Sequence, residues 1–164
     1  MNTSPSFDIA GILERLEFGK LGIDLFATKE IPAKPDKITF IMNTGTYEDP
    51  SVNLTYRYPM VQVVARGAAG EFGECTNRMY VVDEMLHGLN DVYINENRYV
   101  YIYRITEPVD LDYDDTMRPF IGANYRLNMV RGVPNPDFES GIDFDSEVRK
   151  SALYKRKRLK KEWR

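Results

Sequence analysis

The chain has 164 residues, with 22 Lys+Arg, 25 Asp+Glu, one His, one Cys and one Trp, for a formal net charge of −3. That length predicts one domain with a real core, and a lone Cys beside a lone His excludes a disulfide framework or a zinc site built within one chain. No apolar run approaches the roughly 18 residues of a membrane helix, and the start MNTSPSFDIAG lacks the basic flank and apolar run of a signal peptide, so a soluble, intracellular-type chain is expected.

Ser4-Pro5 opens the first element as N-cap and first helical residue. Ile9, Ile12, Leu13 and Leu16 recur at helical spacing, which predicts a short amphipathic helix over 5–18, weakened by Gly11 and stopped by Gly19 and Gly22. Residues 20–31 read as a strand ended by Pro32 and Pro35. Residues 37–43 read as a second strand and 45–54 as a turn or loop.

The β-branched run 59–66 is the clearest strand. A small-residue junction, 67–73, leads into a helix over 75–88, where Cys75, Met79, Val82, Leu86 and Leu89 form one stripe and His87-Gly88 a C-terminal stop. Residues 97–106 read as a strand with Tyr99, Tyr101, Tyr103 and Ile105 on one face and Val100 and Ile102 on the other. The acidic stretch 110–115 reads as a loop. The closing strand, 123–131, has Tyr125, Leu127 and Met129 inward and Asn124, Arg126 and Asn128 outward. Short connections in this order imply an α+β fold: a mostly antiparallel sheet with two helices packed on one face.

Two Pro and two Gly in 132–145, with scattered aromatics, mark a linker or a segment laid along a neighbour. Ser146 caps a predicted last helix, with Val148, Ala152, Leu159 and Trp163 on one narrow stripe. Its remaining surface is basic: Arg149, Lys150, Lys155, Arg156, Lys157, Arg158, Lys160, Lys161 and Arg164 face a single acid, Glu162. Residues 149–164 thus carry +8, and the other 148 residues carry −11. Such a split predicts two units: a body, 1–131, and a linker with a basic C-terminal arm, 132–164, that has its own partner.

Catalytic equipment is thin. Residues 67–73 sit where phosphate loops sit, yet lack the Lys-Ser/Thr pair and carry Glu71, with Glu74 just beyond. Close approach of strand and helix explains the small residues better. Asp110, Asp112 and Asp114 have the alternate spacing of a calcium loop, but Asp115 and Ile121 stand where its Gly and Glu belong. His87 is the one conventional base, and Cys75 lies twelve residues earlier, roughly 18 Å along a helix. The chain therefore reads as a non-enzyme that needs no cofactor and no metal. The tyrosines at 99, 101 and 103 suit a stacking platform for single-stranded nucleic acid, against which stands the acidic body. The basic run 155–161 suits DNA phosphates, an acidic protein surface, or a solvated terminus; its apolar stripe favours docking.

The block from Pro59 to Arg131 resembles the tail terminator (tail-completion, minor capsid) proteins of tailed bacteriophages. Pro59, Val61, Gln62, Arg66 and Gly67 on the strand, His87-Gly88-Leu89 at the helix end, Arg118-Pro119 and Asn124-Tyr125 carry the resemblance. The basic arm lies outside that pattern. The resemblance implies a structural virion protein, assembled in the host bacterial cytoplasm, that forms a homo-oligomeric ring, usually a hexamer. Such a ring ends the tail tube at its head-proximal end and joins it to the neck and connector. The expected partners are other copies of itself, connector and tube or sheath proteins, and genomic DNA passing through the lumen, with no membrane. The loop with Asp110, Asp112, Asp114, Asp115 and Arg118 is expected at the lumen or at a ring interface, and the arm, including Trp163, on a partner. A head-side neck protein and a small nucleic-acid-binding protein are the alternatives.

Overall fold

The computed structural model describes residues 3–47 and 56–133. The basic arm, its predicted helix from 146, the linker from 134 and most of the predicted loop at 48–54 lie outside the described residues. Two helices, α1 (Pro5–Arg15) and α2 (Phe72–Leu86), accompany seven strands: β1 (Leu25–Phe26), β2 (Ile38–Tyr47), β3 (Tyr56–Arg66), β4 (Asn90–Ile94), β5 (Asn97–Arg104), β6 (Val109–Tyr113) and β7 (Pro119–Arg131). They form one sheet in the order β1-β2-β3-β7-β5-β4, with β6 also paired to β7. Every pairing is antiparallel except β1 with β2.

Both helices pack on the same sheet face, as the sequence predicts. Ile9, Ile12, Leu13 and Leu16 of the first helix and its exit, and Cys75, Met79, Val82 and Leu86 of the second, meet Ile41, Val61, Val63, Ala65, Ile121, Ala123, Tyr125, Leu127 and Met129 in one core. Each large side chain so enclosed contributes about 1.5–3 kcal/mol. The other face carries a smaller cluster of Ile38, Phe40 and Val64, flanked by Phe26, Met42 and Phe120. The Phe40 and Phe120 rings meet edge to face at 6.2 Å.

Several predicted elements are corrected. Helix α1 ends at Arg15, before the glycines, because Glu17 itself takes the left-handed conformation (φ 59°). Phe18 N then donates to Leu13 O and Glu17 N to Glu14 O, a Schellman stop without glycine. Of the strand predicted over 20–31, only Leu25–Phe26 joins the sheet, and Leu21 makes an isolated bridge to Leu25. The segment before it is held as a turn by Asp24, whose Oδ1 accepts from Lys20 N at 2.6 Å. Strand β2 runs on to Tyr47, through a register shift between Asn43 and Gly45, into residues predicted as loop.

The second helix has its expected stripe and stop: Gly88 sits at φ 82°, and His87 Nδ1 accepts from Arg104 N at 3.0 Å. The unpredicted β4 follows. It turns into β5 through Asn95 (φ 50°) and Glu96 (φ 61°), two left-handed residues in a row between the paired Ile94 and Asn97. Such a turn matches the twist of a tight hairpin and is normally signalled by Asn-Gly. Gly67 bears out the close-approach reading of its junction, since a Cβ there would lie 2.9 Å from Cys75 Cβ and 3.2 Å from Pro119 Cγ.

Candidate assembly surfaces

Strands β5 and β6 lie end to end along one side of β7 as a single interrupted strand. The register slips between Tyr99 and Tyr101, across 105–108, and again between Asp110 and Asp112. Pro108 has no N–H to offer the ladder. At the central break Ile105 N donates to Asn124 O at 2.7 Å and Asn124 N to Thr106 Oγ1 at 3.1 Å.

The first slip splits the predicted tyrosine face. Tyr99 points into the core with Ile102, both fully buried, while Tyr101 is exposed and its ring lies 5.8 Å from that of Tyr103. The Arg126 guanidinium stands over the rings of Tyr58, at 5.0 Å, and Tyr103, at 5.8 Å. A continuous platform of three tyrosines does not exist. The helix-free face instead carries a tyrosine and arginine strip across β3, β7 and β5.

The acidic stretch predicted as a loop is largely strand. Val109 pairs with Gly122, Asp110 with Ile121, Asp112 with Phe120 and Tyr113 with Pro119. All five residues of β6 are exposed. Asp110 and Asp112 face solvent, Asp112 Oδ1 accepting only from its neighbour Tyr113 N at 2.7 Å. Asp115 is exposed at the tip. Among the described residues no group of three or more His, Cys, Asp or Glu is placed to hold a metal.

Asp114 and Arg118 are brought together. Asp114 Oδ1 accepts from Thr116 N and Arg118 N, each at 3.0 Å, and from Thr116 Oγ1 at 2.7 Å; Oδ2 accepts from Arg118 Nε at 2.6 Å. Desolvation alone would raise the Asp114 carboxyl, but the donors from Thr116 and Arg118 outweigh it and hold the group below the usual carboxylate range. Arg118 Nη1 reaches on to Ala33 O at 2.7 Å and Asp36 Oδ1 at 3.1 Å. Beneath that same segment lies Arg66, only 1% exposed, donating to Asp36 O at 3.0 Å and Pro35 O at 2.6 Å. Burial lowers the Arg66 guanidinium from its ordinary value, and the neighbouring positive Arg118 adds to that. Two arginines thus clasp residues 33–36 against the turn end of the β6–β7 hairpin.

Two buried carboxyls, Asp8 and Asp83, stand outside the residues singled out by the sequence. Asp8 accepts from Tyr99 OH at 2.6 Å, Asn97 Nδ2 at 2.8 Å, Asn95 Nδ2 at 2.8 Å and Thr3 Oγ1. Asp83 accepts from Tyr125 OH at 2.8 Å and Arg104 Nη1 at 2.5 Å. Desolvation first, and then the facing carboxyl, raise both tyrosine hydroxyls above their ordinary range. The available signal was helical spacing: Asp8 precedes Ile12 by four, and Asp83 follows Met79 by four, so each falls on its helix's apolar stripe. Cys75 is also buried, and burial pushes its thiol up to about 11, where it is no nucleophile at neutral pH.

An α+β body whose polar groups knit helices to sheet, and whose exposed features are strips of apolar, aromatic and acidic side chains, has the makings of a subunit in an assembly. The chain belongs to the family of the bacteriophage tail terminator protein, whose pattern matches residues 12–131, and it is a structural component of a phage tail. No curated protein sequence matches it. Among solved structures, a chain of the virion of a native gene transfer agent (GTA) particle shares the fold, with a TM-score of 0.57 at 13% identity, over 77% of this chain and 95% of that one.

Proposed function

We propose that this chain closes into a homo-oligomeric ring, a hexamer, at the head-proximal end of the tail. There it terminates the tube and joins it to the connector. Its body would be 1–131, and 132–164 a separate arm that grips a partner. The observation that carries this reading is the distribution of exposed apolar side chains. Of the twelve large ones among the described residues, Tyr101, Ile105, Val109, Leu111, Tyr113 and Met117 fall on the single β5–β6 strip and its hairpin tip. An exposed apolar strip that runs onto the open edge of β6 needs a cover, and head-to-tail association around a closed rotation supplies one without a second protein species. The acidic residues Asp110, Asp112 and Asp115 then lie at that interface or at the lumen, where negative charge keeps passing DNA from adhering. The family and the virion neighbour support placement in the particle.

The test is to incubate the purified chain with isolated tail tubes and connectors and view them by electron microscopy. A ring on the head-proximal end of the tube is expected. Binding to connectors alone, with bare tubes, would move the protein to the head side of the neck and overturn the terminator reading.

A further inference from the structure

We infer that the exposed edge of β6 is the dock for the basic arm, residues 149–164, of a neighbouring copy of this chain. The inference rests on the ring reading above and names which surfaces meet. Strand β6 is bonded only to β7, so among the described residues its second edge has no strand partner. Its exposed side chains alternate apolar and acidic, Val109, Leu111 and Tyr113 with Asp110 and Asp112 between, and exposed Asp115 follows at the turn. The arm offers the complement: nine bases and one acid, interspersed with Leu153, Tyr154, Leu159 and Trp163. An acidic, apolar edge and a basic, apolar segment attract, and each removes the other's exposed apolar groups from water.

The course of the chain suits donation to a neighbouring subunit. Strand β6 pairs with Pro119–Gly122 at the start of β7, whereas the chain leaves the described domain at Val133, just past its other end. Thirteen strand residues separate those ends by roughly 40 Å. Donor and acceptor at opposite ends of one subunit are what head-to-tail association requires, because each copy then gives an arm on one side and receives one on the other. Residues 134–148 can bridge about 50 Å before the first base. Gly122 adds a local reason for the edge to be shaped as it is: a Cβ there would lie 2.8 Å from Leu111 Cδ1, so glycine lets Leu111 lie across the sheet toward Val64.

The experiment uses full-length chain, half of it 15N-labelled, mixed before assembly and treated with a carbodiimide that joins carboxyls to amines. Mixed-isotope links from Asp110, Asp112 or Asp115 to Lys155, Lys157, Lys160 or Lys161 are expected. Same-isotope links alone would show the arm folding back on its own subunit, and arm links confined to other sites would place the dock elsewhere; either result overturns the inference. The double variant Asp110→Lys with Asp112→Lys, whose melting should match the parent because both side chains are exposed, is expected to raise the dissociation constant of the assembly on the order of tenfold. Adding Lys155→Glu, Lys157→Glu, Lys160→Glu and Lys161→Glu should restore it. An assembly indifferent to the charge reversal would refute the dock while leaving the ring intact, and a chain monomeric throughout would refute the ring itself.

Discussion

Tyr99 donates its hydroxyl to Asp8 Oδ2 at 2.6 Å, joining strand β5 to helix α1 across 91 positions of sequence. Both residues are fully buried. Asp8→Ala would leave Tyr99 OH and Asn97 Nδ2 without this acceptor in a dry site, and a stranded buried donor costs about 1–3 kcal/mol. We expect Asp8→Ala to lower unfolding free energy by roughly 2–4 kcal/mol and Tyr99→Phe by about 1–2 kcal/mol, because Asp8 then keeps its other donors. Urea unfolding of the full chain reads both; equal losses would contradict the shared-acceptor arrangement.

The matching pair, Tyr125 and Asp83, extends this to pH. Both tyrosines titrate above their ordinary value in the folded chain, because burial and a facing carboxyl oppose the phenolate. The unfolded chain releases these protons near pH 10 while the folded chain keeps them. Their stabilisation is therefore complete below about pH 10 and falls as pH rises above it, by about 1.4 kcal/mol per pH unit for each tyrosine. Unfolding measured between pH 9 and 11.5 should show this slope, and Tyr99→Phe with Tyr125→Phe should flatten it. An unchanged slope in the double variant would assign the alkaline loss to other groups.

At the hairpin tip the sign is opposite. The folded-state Asp114 value is depressed, so its contribution is present above the usual carboxylate range and is lost as pH falls through the folded value. Asp114→Ala removes the acceptor for the amides of Thr116 and Arg118. Hydrogen exchange at those two amides should quicken at neutral pH in the variant and leave the β3 and β7 core amides unchanged. Unaltered tip exchange would mean the turn holds without its aspartate.

Gly67 is a point of close approach between α2 and the sheet. A methyl group there meets Cys75 Cβ, Pro119 Cγ and a backbone oxygen, Glu71 O at 3.3 Å. None of these is the loose end of a flexible side chain, so Gly67→Ala should cost about 1–3 kcal/mol, seen as a lower urea midpoint. Stability equal to the parent would show that the helix shifts freely on the sheet.

The parts legible in the sequence are those where one physical signal dominates. The apolar stripes of both helices and the alternation from Ala123 to Arg131 each report a single buried face, and the structure buries those residues. Legibility fails where tertiary pairing overrides local composition. Asp110 and Asp112 look like loop residues until β7 offers Pro119–Gly122 as a partner, and an edge strand tolerates acids on its open side. The strict alternation assumed for Tyr99, Tyr101 and Tyr103 breaks because one residue bulges, which simple period-two counting does not register. Strand β4 is not legible in the sequence because its turn is made by Asn95 and Glu96 rather than by glycine. Of the candidate surface, the acidic residues were found by charge, while the clasp of Arg66 and Arg118 on residues 33–36 joins positions too distant for any local pattern.

Closure into a ring is read by native mass spectrometry of the full chain over a range of concentrations. One dominant closed species of six copies is expected, weakened by added salt if charge holds its interfaces. A monomer at every concentration, or an open ladder of sizes without a preferred number, would contradict it.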